Sequence, residues 1–275
     1  VIAVQSTNTS RPSAEHSVVT GYGLRQTTIA VNCDSGDLLR FLNSNRDENK
    51  YVRHHHAHDL RSCVRKGNLK RARPIQTLFV DVGEVLLTDG WDHLARKRAA
   101  KHFKLPWADM DERHRLVFES HEEGRLTFEE YLGWVVFYEK RTFTRTQFRD
   151  FMFAQSTPYR GMIELITQLK TRYGLKIVVV SNECRELNAY RIRTFKLDQF
   201  VDTFVSSCFV HIRKPDVRIF QLALDLAQTR TTRAVFIDNT PMFVEIAEGL
   251  GIHGIVHVNH AATRAKLASL ALGTT

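Results

Sequence analysis

Thr77-Leu78-Phe79-Val80-Asp81-Val82-Gly83-Glu84 decides how the rest of the chain is read. A short apolar run ends in a carboxylate. Burying a charged group at a strand end costs free energy unless the group has a partner or a task. The C-terminal ends of strands in an open α/β sheet are also where such folds bind their ligands. Alone, an acidic residue after a strand is most simply a turn or helix-cap residue. Three positions downstream change that reading. Ser181, Lys214 and Asp238 follow in order, and Ser181 and Asp238 each stand just past an apolar run, Ile177-Val178-Val179-Val180 and Ala234-Val235-Phe236-Ile237.

The pattern around these positions alternates between helical and strand periods. A strand over 76–81 precedes a loop at Thr88-Asp89-Gly90-Trp91 and then about sixty residues of helical pattern, which look like an inserted cap. Helices are expected over 93–103 and 107–121. A third starts at Thr127, whose spacing to Glu130 is that of a capping box, and a fourth is capped by Thr144 or Thr146. After Pro158 the expected order is helix 159–172, ended by Gly174, then strand 176–180, helix 184–196 and strand 203–207. Helix 216–227 follows, opened by Pro215, then strand 234–238, helix 241–248, strand 255–258 and helix 261–271. Strands that are apolar without alternation and separated by helices imply a parallel sheet with right-handed crossovers, hence an α/β fold.

Composition sets the bounds. The 275 residues are 43% apolar, enough for one large domain or a domain with a smaller insert. The net charge of +9 is uneven. Residues 1–74 hold 12 Lys and Arg against 6 Asp and Glu, whereas residues 75–275 hold 27 against 24. The part with fold periodicity is near charge balance, so nucleic acid is not the expected partner. The basic stretch from Arg61 to Arg73 and the cluster His54-His55-His56-Ala57-His58 belong to residues 1–74. These are expected to form a basic, poorly ordered N-terminal extension, and no ligand spacing accompanies the histidines. Cys33, Cys63, Cys184 and Cys208 lie far apart, which fits neither a zinc framework nor a disulfide scaffold and suits a reducing, cytoplasmic location. No stretch approaches 18 apolar residues, so no membrane span is expected, and the N-terminus lacks the pattern of a secretory signal. The chain opens on Val1 and its first Met is Met110, as in a fragment or a reading frame carried past its true start.

Asp81, Ser181-Asn182, Lys214 and Asp238-Asn239, in this order and each behind the expected element, resemble the four motifs of the haloacid dehalogenase-like (HAD) hydrolase superfamily. The resemblance covers about residues 75–272. It implies a three-layer α/β/α Rossmann-like core built from 75–90 and 155–275, with an α-helical cap over 91–154. It also implies that Asp81 is a nucleophile that accepts the phosphoryl group. Mg²⁺ would be held by Asp81, Asp238 and the main-chain carbonyl of Gly83. The Ser181 hydroxyl, the Asn182 N–H and Lys214 would hold the phosphoryl oxygens. The residue types suit these roles. A carboxylate can form an acyl phosphate, Mg²⁺ prefers hard oxygen ligands, and a fixed ammonium stabilises a transferring phosphoryl group.

Two positions depart from the superfamily's usual pattern. Its phosphatases usually carry a second aspartate two residues after the nucleophile, as general acid and then base. Here that position is Gly83. The branch resembling the bacterial α-glucose-1-phosphate phosphatases shares Asp-x-Gly, and a sugar 1-phosphate leaves as a hemiacetal oxyanion that needs less protonation. Glu84 is a candidate substitute acid, a salt bridge or outward-facing position being the preferred reading. Asn239 stands where an acidic residue often follows the metal aspartate, and an amide can still hold a metal-bound water. The expected function is therefore a Mg²⁺-dependent phosphatase acting on a small phosphorylated metabolite, a sugar phosphate being favoured. The alternatives are a metal-independent 2-haloacid dehalogenase-type hydrolase and a non-catalytic phosphate-binding or regulatory protein. Dehalogenases usually carry an aromatic residue at position 83 and Ser-Asn at the fourth motif, so Asp238 favours phosphoryl chemistry. Trp91, Asp92 and His93 are read as cap packing, with lining of the substrate entrance as the alternative. His121, Glu122, Glu123 and Arg125 would form a loop facing the site.

Overall fold

The computed structural model describes residues 74–274. The basic extension over 1–74, with its Arg61–Arg73 stretch and histidine cluster, lies outside the described residues apart from Pro74. Five parallel strands form the centre: β1 (Thr77–Val80), β2 (Lys176–Ser181), β3 (Thr203–Ser206), β4 (Ala234–Asp238) and β5 (His253–Val256). Their order is β3-β2-β1-β4-β5. From β1 the chain moves outward through β2 and β3, then returns to the other side of β1 for β4 and β5. The ends of β1 and β4 therefore flank the topological switch point, where open sheets of this kind leave a crevice.

Ten α-helices accompany the strands among the described residues. They are α1 (His93–His102), α2 (Trp107–Glu122), α3 (Phe128–Val135), α4 (Arg145–Phe153), α5 (Arg160–Tyr173), α6 (Arg185–Thr194), α7 (Ser207–Val210), α8 (Val217–Ala227), α9 (Pro241–Gly249) and α10 (His260–Ser269). The central strands are apolar on both faces because helices cover both. Leu78, Val80, Val179 and Ile237 pack with Leu165, Ile166 and Leu169 of α5. Phe79, Val180 and Phe236 point the other way and pack with Ile219, Phe220 and Ala223 of α8. A side-chain period of two thus divides one sheet between two apolar layers.

Helices α1 to α4 bury their own cluster, in which Met110, Tyr131, Leu132, Phe148 and Met152 meet Cys184 and Leu187 near and on α6. Thr127 caps α3 in the expected capping box with Glu130. Thr144, not Thr146, caps α4, in a second box with Gln147. Gly174 ends α5 at a φ of 63°, a left-handed conformation that suits glycine.

Three expectations are corrected. The strand expected to reach 207 stops at Ser206 and turns directly into α7. Helix α8 is capped by Asp216, whose Oδ1 accepts the Arg218 N–H at 2.9 Å, so Pro215 lies ahead of the helix instead of in its first turn. The last strand runs over His253–Val256 instead of 255–258. Its register with β4 closes at Asp238 and Val256, leaving Val258 beyond the sheet and 74% exposed. No described helix is long and apolar enough to cross a membrane.

Candidate active site

Four of the residues singled out in the sequence converge where β1, β2 and β4 end. Asp81 follows β1, Ser181 closes β2, Asp238 closes β4, and Lys214 arrives from the loop before α8. Lys214 Nζ lies 2.6 Å from Asp238 Oδ2 and 3.1 Å from Asp81 Oδ1. All four are buried, with Lys214 and Ser181 each 1% exposed. An ammonium buried this deeply would lose its proton from desolvation, but the carboxylates of Asp81 and Asp238 outweigh that loss and hold its pKa above the ordinary value. Asp238 is pushed upward by burial and by the neighbouring Asp81 charge, against the pull of Lys214. Two carboxylates share one cation, so the cluster keeps an unmatched negative charge.

The free atoms define what the cluster can do. Asp81 Oδ1 accepts the Val82 N–H at 2.8 Å as well as facing Lys214. Its Oδ2 makes no hydrogen bond with a described residue. Asp238 Oδ1 accepts the Thr240 N–H at 2.7 Å. Asn182 has a structural task that the sequence did not announce. Its side chain receives the Lys214 N–H at 2.8 Å and donates to the Lys214 carbonyl at 2.9 Å, which clamps the lysine backbone to the end of β2.

A cleft of about 490 Å³ opens beside Asn182, the residue that clamps Lys214, although none of the four cluster residues lines it. Asp89, Asn182 and Glu183 border it from the sheet side, and Trp91, His93 and His121 from the helical side. Trp91 and His93 thus line the cleft and also pack. The Trp91 indole N–H donates to the Tyr131 hydroxyl at 2.8 Å, and the His93 ring meets Trp107 edge-on. His121 and Glu122 close α2 and do not belong to the loop expected around Gly124; Glu122 faces Arg213, and burial raises its carboxyl against the partial pull of Arg213. Two cleft atoms, His121 Nε2 and Arg96 Nε, are buried without a hydrogen-bond partner among the described residues.

The loop from Thr88 to Gly90 is held from beneath. Arg191, 1% exposed, donates to the carbonyls of Thr88 and Asp89, to Ser156 Oγ at 3.0 Å, and to the buried Glu183 carboxylate. A Cβ on Gly90, at a φ of +81°, would overlap the Arg191 guanidinium, so only glycine fits there. Asp89 is open to the cleft yet crowded by protein on its other sides. That crowding raises its carboxyl above the ordinary value, and the Asp81 charge adds to the rise against Arg191.

The family of haloacid dehalogenase-like hydrolases matches residues 75–251. This chain belongs to that family. It is therefore a hydrolase of HAD type on an α/β Rossmann-like core. It is 33% identical over 112 residues to mouse acyl-CoA dehydrogenase family member 10. That match covers 41% of this chain and only 10% of that protein. A HAD family enzyme from Bacteroides thetaiotaomicron, solved with magnesium and inorganic phosphate, has a similar structure at a TM-score of 0.57 and 20% identity. The match covers 66% of this chain and 93% of that one. A HAD-like family hydrolase from Porphyromonas gingivalis is similar at a TM-score of 0.57 and 21% identity, over 73% of this chain and 99% of its own.

Within this HAD fold, the two departures take definite places. Glu84 does not present a free carboxyl to Asp81. Its Oε1 accepts the Asp89 N–H and its Oε2 the Tyr159 hydroxyl, both at 2.9 Å. Asn239 is exposed and borders a second cavity with Glu84, Tyr159, His257 and His260. As for Mg²⁺, the donors near Asp81 are two carboxylates with an unmatched charge and, in the turn after it, the Gly83 carbonyl. All are hard oxygens and suit that ion. Among the described residues no three His, Cys, Asp or Glu side chains form a self-contained metal centre, so a site here would rest on this mixed set completed by water.

The cleft wall carries two imidazoles that folding keeps neutral. Tyr131 accepts from Trp91 and therefore donates its own proton to His114 Nδ1 at 2.9 Å. Burial, with Arg96 and His121 nearby, lowers His114 to about 3. Burial lowers His121 to about 4, although the Leu126 carbonyl pulls the other way. An imidazole with a folded pKa below its unfolded value binds protons better in the unfolded chain. Its contribution is thus complete above about pH 6.5 and shrinks as pH falls toward the folded pKa. At about 1.4 kcal/mol per pH unit, His121 costs about 2 kcal/mol at pH 5. Urea melts at pH 7.5 and 5.0 are expected to show the wild type losing about 2 kcal/mol more than His121→Phe, which keeps the ring stack on Tyr131. Equal losses would contradict the buried neutral imidazole.

Proposed function

We propose that this hydrolase is a Mg²⁺-dependent phosphatase acting on a small phosphorylated metabolite, with sugar phosphates favoured, through an aspartyl-phosphate on Asp81. The observation that carries the proposal is the Asp81–Lys214–Asp238 cluster, in which Asp81 keeps Oδ2 unbonded to any described residue while Lys214 and the Val82 N–H fix Oδ1. A carboxylate held by one oxygen with the other free is oriented for attack on phosphorus. Lys214 and Ser181 would hold the phosphoryl oxygens with the Asn182 main chain, and the buried ammonium would offset charge as it develops. Asp81, Asp238 and the Gly83 carbonyl would hold Mg²⁺, which when bound lowers the repulsion between an anionic ester and an anionic nucleophile. Asn239 would take part only through a water.

In this reading 91–154 serves as a cap over a core of 75–90 and 155–275, and the cleft between them receives the organic part of the ester. Its volume suits a small ligand. His121 donates from Nδ1 to the Leu126 carbonyl, so its orphaned Nε2 is an acceptor. Arg96 Nε is an orphaned donor. The test is phosphate release from p-nitrophenyl phosphate and glucose 1-phosphate by the full chain, with Mg²⁺ and after chelation. Release that stops on chelation is expected. Release that survives it removes the metal assignment. Halide release from 2-haloacids without phosphate release moves the enzyme to carbon chemistry. Beryllofluoride binding without any turnover points to a binding protein.

A further inference from the structure

Expelling an alkoxide from phosphorus requires a proton at the departing oxygen, and hydrolysing an acyl phosphate requires that a water lose one. The carboxylates around Asp81 can be sorted by what already holds them. Asp238 gives one oxygen to Lys214 and the other to the Thr240 N–H. Glu183 is bonded to Arg191. Glu84 spends its oxygens on the Asp89 N–H and Tyr159. Glu122 is paired with Arg213, and Asp92 caps α1 by accepting the Ala95 N–H at 2.6 Å. Asp89 remains, for its carboxylate makes no hydrogen bond or ion pair with another described residue.

Its placement is as specific as its freedom. Asp89 Oδ1 lies 3.4 Å from the point a Cβ on Gly83 would occupy, so this carboxylate fills the space beside the residue two positions past the nucleophile. It also lines the cleft, where a leaving group would lie. The main chain beneath it is fixed on both sides, its N–H on Glu84 and its carbonyl on Arg191. We propose that Asp89 is the general acid and base of this site, a role that rests on the phosphatase reading of Asp81. In the first step Asp81 Oδ2 forms a bond to phosphorus, the bond from phosphorus to the ester oxygen breaks, and the Asp89 proton passes to that oxygen. In the second step a water oxygen bonds to phosphorus, its proton passes to the Asp89 carboxylate, and the bond from Asp81 to phosphorus breaks. Phosphate leaves, and both side chains return to their starting forms. Glu84, tied to the Asp89 backbone, is a positioning residue.

The experiment compares Asp89→Asn with the wild type on glucose 6-phosphate, whose leaving group needs a proton, and on 2,4-dinitrophenyl phosphate, whose leaving group does not. The variant is expected to lose about 10²–10⁴-fold on glucose 6-phosphate. On 2,4-dinitrophenyl phosphate it is expected to release about one equivalent of dinitrophenolate in a burst and then turn over slowly, because only the second step lacks its base. Adding Gly83→Asp to Asp89→Ala, which vacates that space and returns a carboxyl to it, is expected to recover part of the sugar phosphate rate. Equal first-turnover losses on both esters, or wild-type turnover of glucose 6-phosphate by Asp89→Asn, would overturn the role while leaving Asp81 in place. A wild type inactive on both esters would overturn the phosphatase reading and this role with it.

Discussion

Asp81→Asn is expected to abolish phosphate release, by on the order of 10⁴–10⁶-fold, the scale of removing a catalytic nucleophile. The change keeps the shape of the side chain and removes the charge, so geometry does not account for the loss. An amide oxygen does not form a stable link to phosphorus, and the Lys214 ammonium, 3.1 Å from Asp81 Oδ1, would face a neutral partner. The fold should tolerate the change. Lys214 keeps Asp238 at 2.6 Å, so a cluster of two anions and one cation becomes a neutral buried pair. Removing one carboxylate leaves no uncompensated cation, and the expected cost is about 1 kcal/mol, that of a single hydrogen bond. Phosphate assays and urea melts on the same preparation separate the two effects. Residual turnover above roughly one part in 10² would place the nucleophile elsewhere, since simple positioning by an amide does not supply covalent catalysis.

The strand-end positions Asp81, Ser181 and Asp238 were legible in the sequence because each follows a run whose apolar character depends on burial. Val178, Val179 and Val180 show no alternation, which only a strand covered on both faces permits, and Ser181 is the polar residue that closes the run. The capping box at Thr127 was legible for the same local reason, being complete within four residues. What could not be read depends on contacts across the chain. Arg191 and Arg193 are the same residue type two positions apart on α6, yet one is buried beneath the Thr88–Gly90 loop and the other exposed. Helical spacing puts Arg191 on the buried face with Leu187 and Asn188, but what a guanidinium would do there could not be read, because the carbonyls it holds are about a hundred residues earlier in the sequence. Asp89 reads locally as a turn residue before a glycine. Its meaning comes from the missing side chain of Gly83, which is visible only once the loop brings the Asp89 carboxylate beside that residue. The sequence signal that could have found it was the absence at Gly83, taken as a demand for another carboxylate nearby.

Arg191→Leu is expected to be the most destabilising of these substitutions, at about 3–5 kcal/mol, because it strands a buried anion. Glu183 is 4% exposed, and burial already raises its carboxyl to about 7 despite the opposing pull of Arg191. Without the guanidinium that carboxyl rises further. A carboxyl with a folded pKa above its unfolded value binds protons better when folded, so its contribution is complete below about pH 4.5 and declines as pH rises through the folded value. The variant should therefore be least impaired near pH 5 and most impaired above pH 8. The second change, Glu183→Leu on top of Arg191→Leu, removes the stranded anion and should recover most of the lost stability and flatten the pH dependence. Activity should not return with it. The double variant still lacks the donor to the Thr88 and Asp89 carbonyls, so the loop that carries Asp89 is no longer held from beneath. Urea melts at pH 5 and 8 together with turnover of glucose 6-phosphate test both halves. Full recovery of activity in the double variant would mean that the buried ion pair serves stability alone and that Glu84 suffices to hold the Asp89 loop.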